Sequence, residues 1–301
     1  MMRLRQIAAL LALSACCALP AQAAPPKVLH TFLTTSETGL DPAVASDLAT
    51  LSLLENLFDP LLRYDYLARP VKLRPNATTA LPEVDAQGLT YTFRIRPGIY
   101  FTADAAFKGA RREVTAQDYV YSLTRLYDPA LHSPWLFLFE GKLAGDAALR
   151  TAFSYDKPIA GLQAVDRYTL RIRLAAPDPN FLLYLATPAS SVVAREVVEA
   201  YAGQVGNHPV GTGPFTIESW KRSDTIVLAA NRENAIPYRS IEGRAPFEGR
   251  RLPLVDKVEV RIAEEFQGRM LGFLSGEYDY LEQVPESLTG MVIENGRLKP
   301  E

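Results

Sequence analysis

Three histidines, His30, His132 and His208, are the natural candidates for proton transfer or metal binding, and they stand far apart in the chain. None belongs to a His-Glu-x-x-His pair that would put two imidazoles on one helical face. No Gly-x-Ser-x-Gly elbow supplies a nucleophile for one of them to activate. A triad assembles only in three dimensions, so spacing leaves that possibility open, but nothing in the pattern signals one. Glu264 and Glu265 could be read as an acid and base pair, yet adjacent carboxylates at the start of a helix complement the positive end of its macrodipole. Asn76-Ala77-Thr78 fits the glycosylation sequon, a pattern short enough to arise by chance. No catalytic residue, metal ligand or cofactor site is assigned on these grounds.

The most informative run is Val210-Gly211-Thr212-Gly213-Pro214-Phe215-Thr216-Ile217-Glu218-Ser219-Trp220. Two glycines one residue apart suit a turn of positive φ or crowded backbone, and Pro214 fixes φ where a strand begins. A phosphate cradle would need a Gly-Lys-Ser/Thr or a third glycine opening a helix, and neither follows. Phe215 and Ile217 alternate with polar neighbours, Lys221 to Asp224 form a turn, and Thr225 to Ala230 return, so the unit reads as a β-hairpin.

The elements around it follow from periodicity. Val28 to Leu33 reads as a first strand, and Gly39-Leu40-Asp41-Pro42 as a turn. Ser46 or Asp47 caps a helix carrying Leu48, Leu51, Leu54 and Phe58, which Asp59-Pro60 ends. Leu89, Tyr91, Phe93 and Ile95 alternate with Thr90, Thr92, Arg94 and Arg96, and Tyr168 to Leu174 repeats the pattern, giving two half-buried strands with basic outer faces. Thr115-Ala116-Gln117-Asp118 is a capping box that opens a helix with Tyr119, Leu123 and Leu126 on one face. Phe181 to Leu185 reads as a short buried helix and 231–253 as a surface loop. Leu254 to Ile262, Glu264 to Leu274 and Tyr278 to Leu281 read as strand, helix and strand, implying a right-handed crossover and a parallel pair. Ligands in open α/β sheets bind beyond the carboxyl ends of strands, which makes Glu282 and Gln283 candidate cleft residues.

The 301 residues are 48% hydrophobic and 22% charged with a formal net charge of −2, an ordinary globular balance of one large or two medium domains. No basic face points to nucleic acid. Arg3 and Arg5 precede the apolar run Ile7 to Leu19, and Ala21-Gln22-Ala23 is a small-x-small cleavage site, so residues 1–23 read as a secretory signal peptide. Leu13-Ser14-Ala15-Cys16 offers the alternative of a lipid anchor at Cys16. Cleavage after Ala23 removes both Cys16 and Cys17, the chain's two cysteines.

Several of these segments resemble the family 5 extracellular solute-binding proteins, the peptide receptors of ABC importers, and they occur in the family's order. The Leu40-Asp41-Pro42 turn and the Leu57-Phe58-Asp59-Pro60-Leu61-Leu62 helix end resemble that family's opening. Glu113-Val114-Thr115-Ala116-Gln117-Asp118-Tyr119-Val120-Tyr121-Ser122 is similar to its Pro-Val-Thr-Ala-x-Asp-Val-x-Tyr-Ser segment. Gly211 to Phe215 resembles its Gly-Thr-Gly-Pro-Phe/Tyr turn, and Ser275-Gly276-Glu277-Tyr278-Asp279-Tyr280 its x-Gly-Glu-x-Asp strand opening. The chain departs at Phe101 to Arg112, where a compact Phe-x-Asp-Gly turn is expanded, and after Asn231, where a short Asn-Pro-x-Tyr-Trp connection is expanded.

The resemblance implies an α/β chain of the two-lobed, type II periplasmic binding protein kind: a mixed-sheet lobe from 24–66 and 157–301, with a small α+β inserted domain at 67–156. The family's chains are longer, so the expectation is a chain lacking the second lobe. Ala45, Ser46 and Asp47 are the ligand-cleft residues the resemblance carries over. It implies a monomer in the periplasm that captures oligopeptide-like solutes, without a cofactor or catalysis, and delivers them to an inner-membrane ABC permease. A peptide, a metal chelate, a haem-like compound or an oligosaccharide all remain open as the solute. A secreted hydrolase and a non-transport envelope interaction protein are the alternatives from other classes.

Overall fold

The structure, a computed structural model, describes residues 25–233, 236, 249–284 and 286–299. The expected signal peptide, Cys16 and Cys17, and most of the expected loop at 231–253 lie outside the described residues. In chain order come β1 (Val28–Leu33), α1 (Leu48–Leu57), β2 (Leu62–Tyr64), β3 (Leu73–Pro75), β4 (Glu83–Val84), β5 (Thr90–Arg94), α2 (Ala116–Arg125) and α3 (Ala147–Thr151). They are followed by β6 (Leu162–Ala164), β7 (Thr169–Arg173), α4 (Phe181–Tyr184), α5 (Arg195–Ala200), β8 (Phe215–Lys221), β9 (Thr225–Ala230), β10 (Lys257–Ile262) and α6 (Phe266–Leu274). A last short helix, α7 (Thr289–Val292), leads into the small hairpin of β11 (Ile293–Glu294) and β12 (Arg297–Leu298).

Two sheets organise the chain. The first is mixed, in the order β1-β10-β9-β8, with β1 parallel to β10 and the remaining pairs antiparallel. Alternation along these strands puts Val258, Val260, Ile226 and Leu228 into one core with Leu53, Leu54 and Leu57 of α1. Each such aliphatic side chain, once buried, contributes ~1.5–3 kcal/mol, so this face holds α1 across the sheet. The second sheet is antiparallel, in the order β4-β5-β7-β6. Phe93 opposes Leu170 and Tyr91 opposes Ile172, and these inward residues pack with Tyr119 and Leu123 of α2 and with Phe139 and Phe181. Thr92, Arg94, Arg171 and Arg173 point outward, as alternation requires. Because β6 and β7 pair with each other and β7 with β5, this sheet joins residues from both sides of the expected 156/157 division.

One expected element is corrected. Tyr278 to Leu281 is not a strand, and the parallel partner of β10 is β1. The stretch does approach β1, where the Asp279 N–H donates to the His30 carbonyl at 2.9 Å. The next rung of a ladder would need a carbonyl to receive the His30 N–H. The Asp279 carboxylate takes it instead, at 2.6 Å, and pairing stops after one bond. Phe32 then packs edge-on against Tyr278 and stacks with Tyr280, at ring centroid distances of 5.1 and 6.4 Å.

Candidate functional site

The glycine-rich turn is a joint. Gly211 and Gly213 lie against the last residues of α1, where the Leu57 carbonyl, which has no acceptor role left within the helix, receives the Gly213 N–H at 2.9 Å. Thr212 donates its hydroxyl to Asp59 at 2.7 Å, and the other Asp59 oxygen accepts from Asn76 at 3.0 Å. Neither glycine has positive φ, so crowding is the reason for both: a Cβ on Gly213 would stand 2.5 Å from the Asn56 oxygen and from the Leu57 carbonyl carbon. The turn therefore fixes where the hairpin of β8 and β9 sits on α1.

That placement brings polar groups to the sheet edge where the parallel pair ends. β1 and β10 finish together, Leu33 opposite Ile262, and the β8–β9 turn ends at the same edge, since Thr225 pairs with Lys221 on one side and Arg261 on the other. Just past β1, Glu37 is 5% exposed and accepts from the Trp220 indole at 2.8 Å and from the Ser223 N–H at 3.3 Å. Its second carboxylate oxygen is buried without a partner. The Arg222 guanidinium lies over the Trp220 ring, 4.7 Å from its centroid. Next in the chain, Thr38 donates its hydroxyl to Asp47 at 2.6 Å and its N–H to the Thr50 hydroxyl at 2.9 Å.

Asp47 is the N-cap of α1, its carboxylate taking the Thr50 N–H at 2.7 Å. Partial burial pushes its pKa up, but the bonds from the Thr38 hydroxyl and the Thr50 N–H and hydroxyl outweigh burial and hold it below the usual aspartate value. The folded value lies below the unfolded one, so this contribution is present at neutral pH and is lost as pH falls below about 4 through the folded value. We expect Asp47→Ala to cost about 1 kcal/mol at pH 7. Urea denaturation should show that cost shrinking at pH 3.

The residues preceding Asp47 are held from the second sheet's side. Ser133 donates to the Ala43 carbonyl at 2.6 Å and the Trp135 indole to the Ala45 carbonyl at 2.7 Å. Arg125 reaches Asp41 through two bonds of 3.0 and 2.8 Å. Between this segment and Gly206 lies a cavity of about 280 Å³ lined by Thr38, Gly39, Asp41, Val44 and Ala45.

Of the five candidate residues, Ala45, Ser46 and Asp47 thus fall on one segment at the strand-end edge: Ala45 is buried, Ser46 exposed and Asp47 half-buried. Glu282 and Gln283 are exposed, beyond the stretch that runs beside β1. Among the described residues, no hydrogen bond or ion pair joins the two groups. Glu37, Trp220, Ser133 and Trp135 were not singled out from the sequence. The one signal for Glu37 was a carboxylate in the loop leaving a parallel strand; Trp135 carried none. His30 stands 3.3 Å from Asp279 with both side chains over two-fifths exposed, and His208 stacks on Tyr201 at 3.6 Å. The Trp220 and Trp135 N–H groups are spent inside the protein and only fix this edge in place, whereas the exposed Thr38 and Ser46 hydroxyls and the half-buried Asp47 carboxylate keep lone pairs that can accept hydrogen bonds from a polar solute.

The model of bacterial extracellular solute-binding proteins, family 5 Middle, matches residues 72–299. The glutathione-binding protein GsiB of Escherichia coli O1:K1 / APEC is 26% identical over 262 residues, 87% of this chain and 43% of that protein. The di/tripeptide-binding protein 4 of Pseudomonas aeruginosa (strain UCBPP-PA14) is 31% identical over 244 residues, 76% of this chain and 42% of that protein. The chain therefore spans less than half the length of these curated relatives. The structure of Haemophilus influenzae OppA in complex with RPPGFSPFR superposes with a TM-score of 0.72 at 17% identity, covering 90% of this chain and 49% of that one. The shared fold is that of a type II periplasmic binding protein.

Proposed function

The chain belongs to the family 5 bacterial extracellular solute-binding proteins, and from that premise we propose that it is the substrate-binding component of an ABC importer for short peptides. The relatives' names carry the solute class: one binds glutathione and another di- and tripeptides. The strand-end wall of Glu37, Thr38 and Asp47 supports it, because a peptide presents N–H donors and carbonyl acceptors at the spacing of backbone. Ala45, Ser46 and Asp47 line one side of the proposed cleft, with Glu282 and Gln283 near its mouth. In this reading the mixed-sheet lobe carries the cleft, and the antiparallel sheet with α2 forms the inserted domain, whose second crossing lies near 174 rather than at 156/157.

The protein acts by binding rather than by catalysis, as a monomer secreted to the periplasm, and passes its solute to an inner-membrane permease. A ligand that touches both lobes only when they are closed shifts the hinge equilibrium by that difference in affinity. Thermal denaturation with glutathione, di- and tripeptides and free amino acids tests the reading. A ligand at a hundredfold its Kd stabilises by about 2.7 kcal/mol, which in a chain of this size raises Tm by a few degrees. We expect that rise with peptides and not with free amino acids. No rise with any peptide, together with no heat of binding in calorimetry, would overturn it.

A further inference from the structure

A second polar site lies away from the strand-end wall. Where the C-terminal end of α1, β2 and the turn at Pro188–Ser190 meet, there is a cavity of about 310 Å³ closed on one side by Pro214. Two of its lining side chains are almost wholly buried and carry atoms that find no hydrogen-bond partner: Oδ1 of Asn76, 5% exposed, and Oγ of Ser191, 2% exposed.

The Asn76 amide cannot resolve this by turning over. Its Nδ2 already donates to Asp59 at 3.0 Å and to the Pro60 carbonyl at 3.1 Å, so both amide hydrogens are committed and Oδ1 is left as a pure acceptor. Ser191 needs only a turn about χ1 to aim its hydroxyl elsewhere. What Asn76 Oδ1 lacks is a donor, and the Ser191 oxygen, which carries its own hydrogen, can offer a lone pair to that same donor. The walls favour a positively charged one: the Glu55 and Asp59 carboxylates outnumber the single guanidinium of Arg63, and Phe58 and Tyr64 add aromatic rings. The Asp59 oxygens accept from Asn76 and Thr212, so its part is to set the local field.

We propose that this cavity is a binding site for a small molecule bearing a primary ammonium group, whose N–H groups donate to Asn76 Oδ1 and Ser191 Oγ while the charge faces Glu55. The site is independent of whether the strand-end wall binds peptide, and the two readings report on different amides. The test is a titration of the ¹⁵N-labelled full chain with methylammonium chloride, with tetramethylammonium chloride at equal ionic strength as the comparison, because that cation has the charge but no N–H.

Saturable shifts at the amides of Arg63, Asn76, Ser191 and Val192 are expected with methylammonium alone. Ser191→Ala should weaken the binding about fivefold to tenfold, the effect of one lost hydrogen bond to a charged donor, and Glu55→Gln, at an exposed position, should weaken it through charge. The absence of saturable shifts, which would leave water as the only donor there, overturns the proposal. So does an equal response to tetramethylammonium, or an affinity unchanged in both variants.

Discussion

Gly211→Ala should destabilise the protein by more than about 3 kcal/mol, the upper range for forcing atoms into a packed site. The new methyl would overlap the Leu57 carbonyl oxygen and stand 2.8 Å from its carbon. Neither neighbour is a side chain that can rotate aside. The helix end must move, or the turn must lift, and lifting the turn breaks the bond from the Gly213 N–H to Leu57 and strains the one from Thr212 to Asp59. Gly268→Ala is the control. It lies inside α6, a Cβ there meets nothing within 4 Å, and alanine should stabilise by about 0.5–1 kcal/mol through helix propensity and a less free unfolded chain. Urea denaturation of the two variants should move the midpoint in opposite directions. A Gly211→Ala protein within 1 kcal/mol of the parent would remove the joint described here.

What the sequence made legible was local. Asp47 as a cap, Thr115 with Asp118 as a capping box, the β8–β9 hairpin and the paired alternation of β5 and β7 all follow from residues within a few positions of one another, where periodicity and capping chemistry act. The carboxylate of Asp118 does accept the Thr115 N–H, at 2.7 Å. The links that shape the site are long: Glu37 meets Trp220 across 183 residues, Thr212 meets Asp59 across 153, and Arg125 meets Asp41 across 84. No local pattern encodes those meetings. The misreading of Tyr278 to Leu281 has the same root, since alternating Tyr-Asp-Tyr-Leu fits a strand until the Asp279 side chain takes the N–H a ladder would use. The reading of Gly211 and Gly213 allowed two causes, and only the fold chose crowding.

Asp41→Ala should cost about 3–5 kcal/mol, the penalty for stranding one member of a buried ion pair. Arg125 is 1% exposed, both its terminal nitrogens bond to Asp41, and its Nε is buried without a partner, so nothing else offsets its charge when the carboxylate goes. Asp41 also organises the turn ahead of α1, accepting the Ala43 N–H at 3.0 Å through its side chain and the Val44 and Ala45 N–H groups through its carbonyl. Arg125→Lys keeps the charge but gives up the paired fork, and should fall between parent and Asp41→Ala. The double variant Asp41→Leu, Arg125→Met removes both charges together and should recover most of the stability, because desolvating the pair costs nearly what their attraction returns. Unfolding free energies of the parent, Asp41→Leu, Arg125→Met and the double variant form a cycle whose coupling should reach several kcal/mol, and a coupling near zero would mean that the charges do not depend on one another. The double variant also separates stability from function. It should fold, but the chain from Pro42 to Ser46 loses the charge that fixes its position beside Thr38 and Asp47, so the solute affinity proposed for the strand-end wall should fall even where the denaturation midpoint is restored.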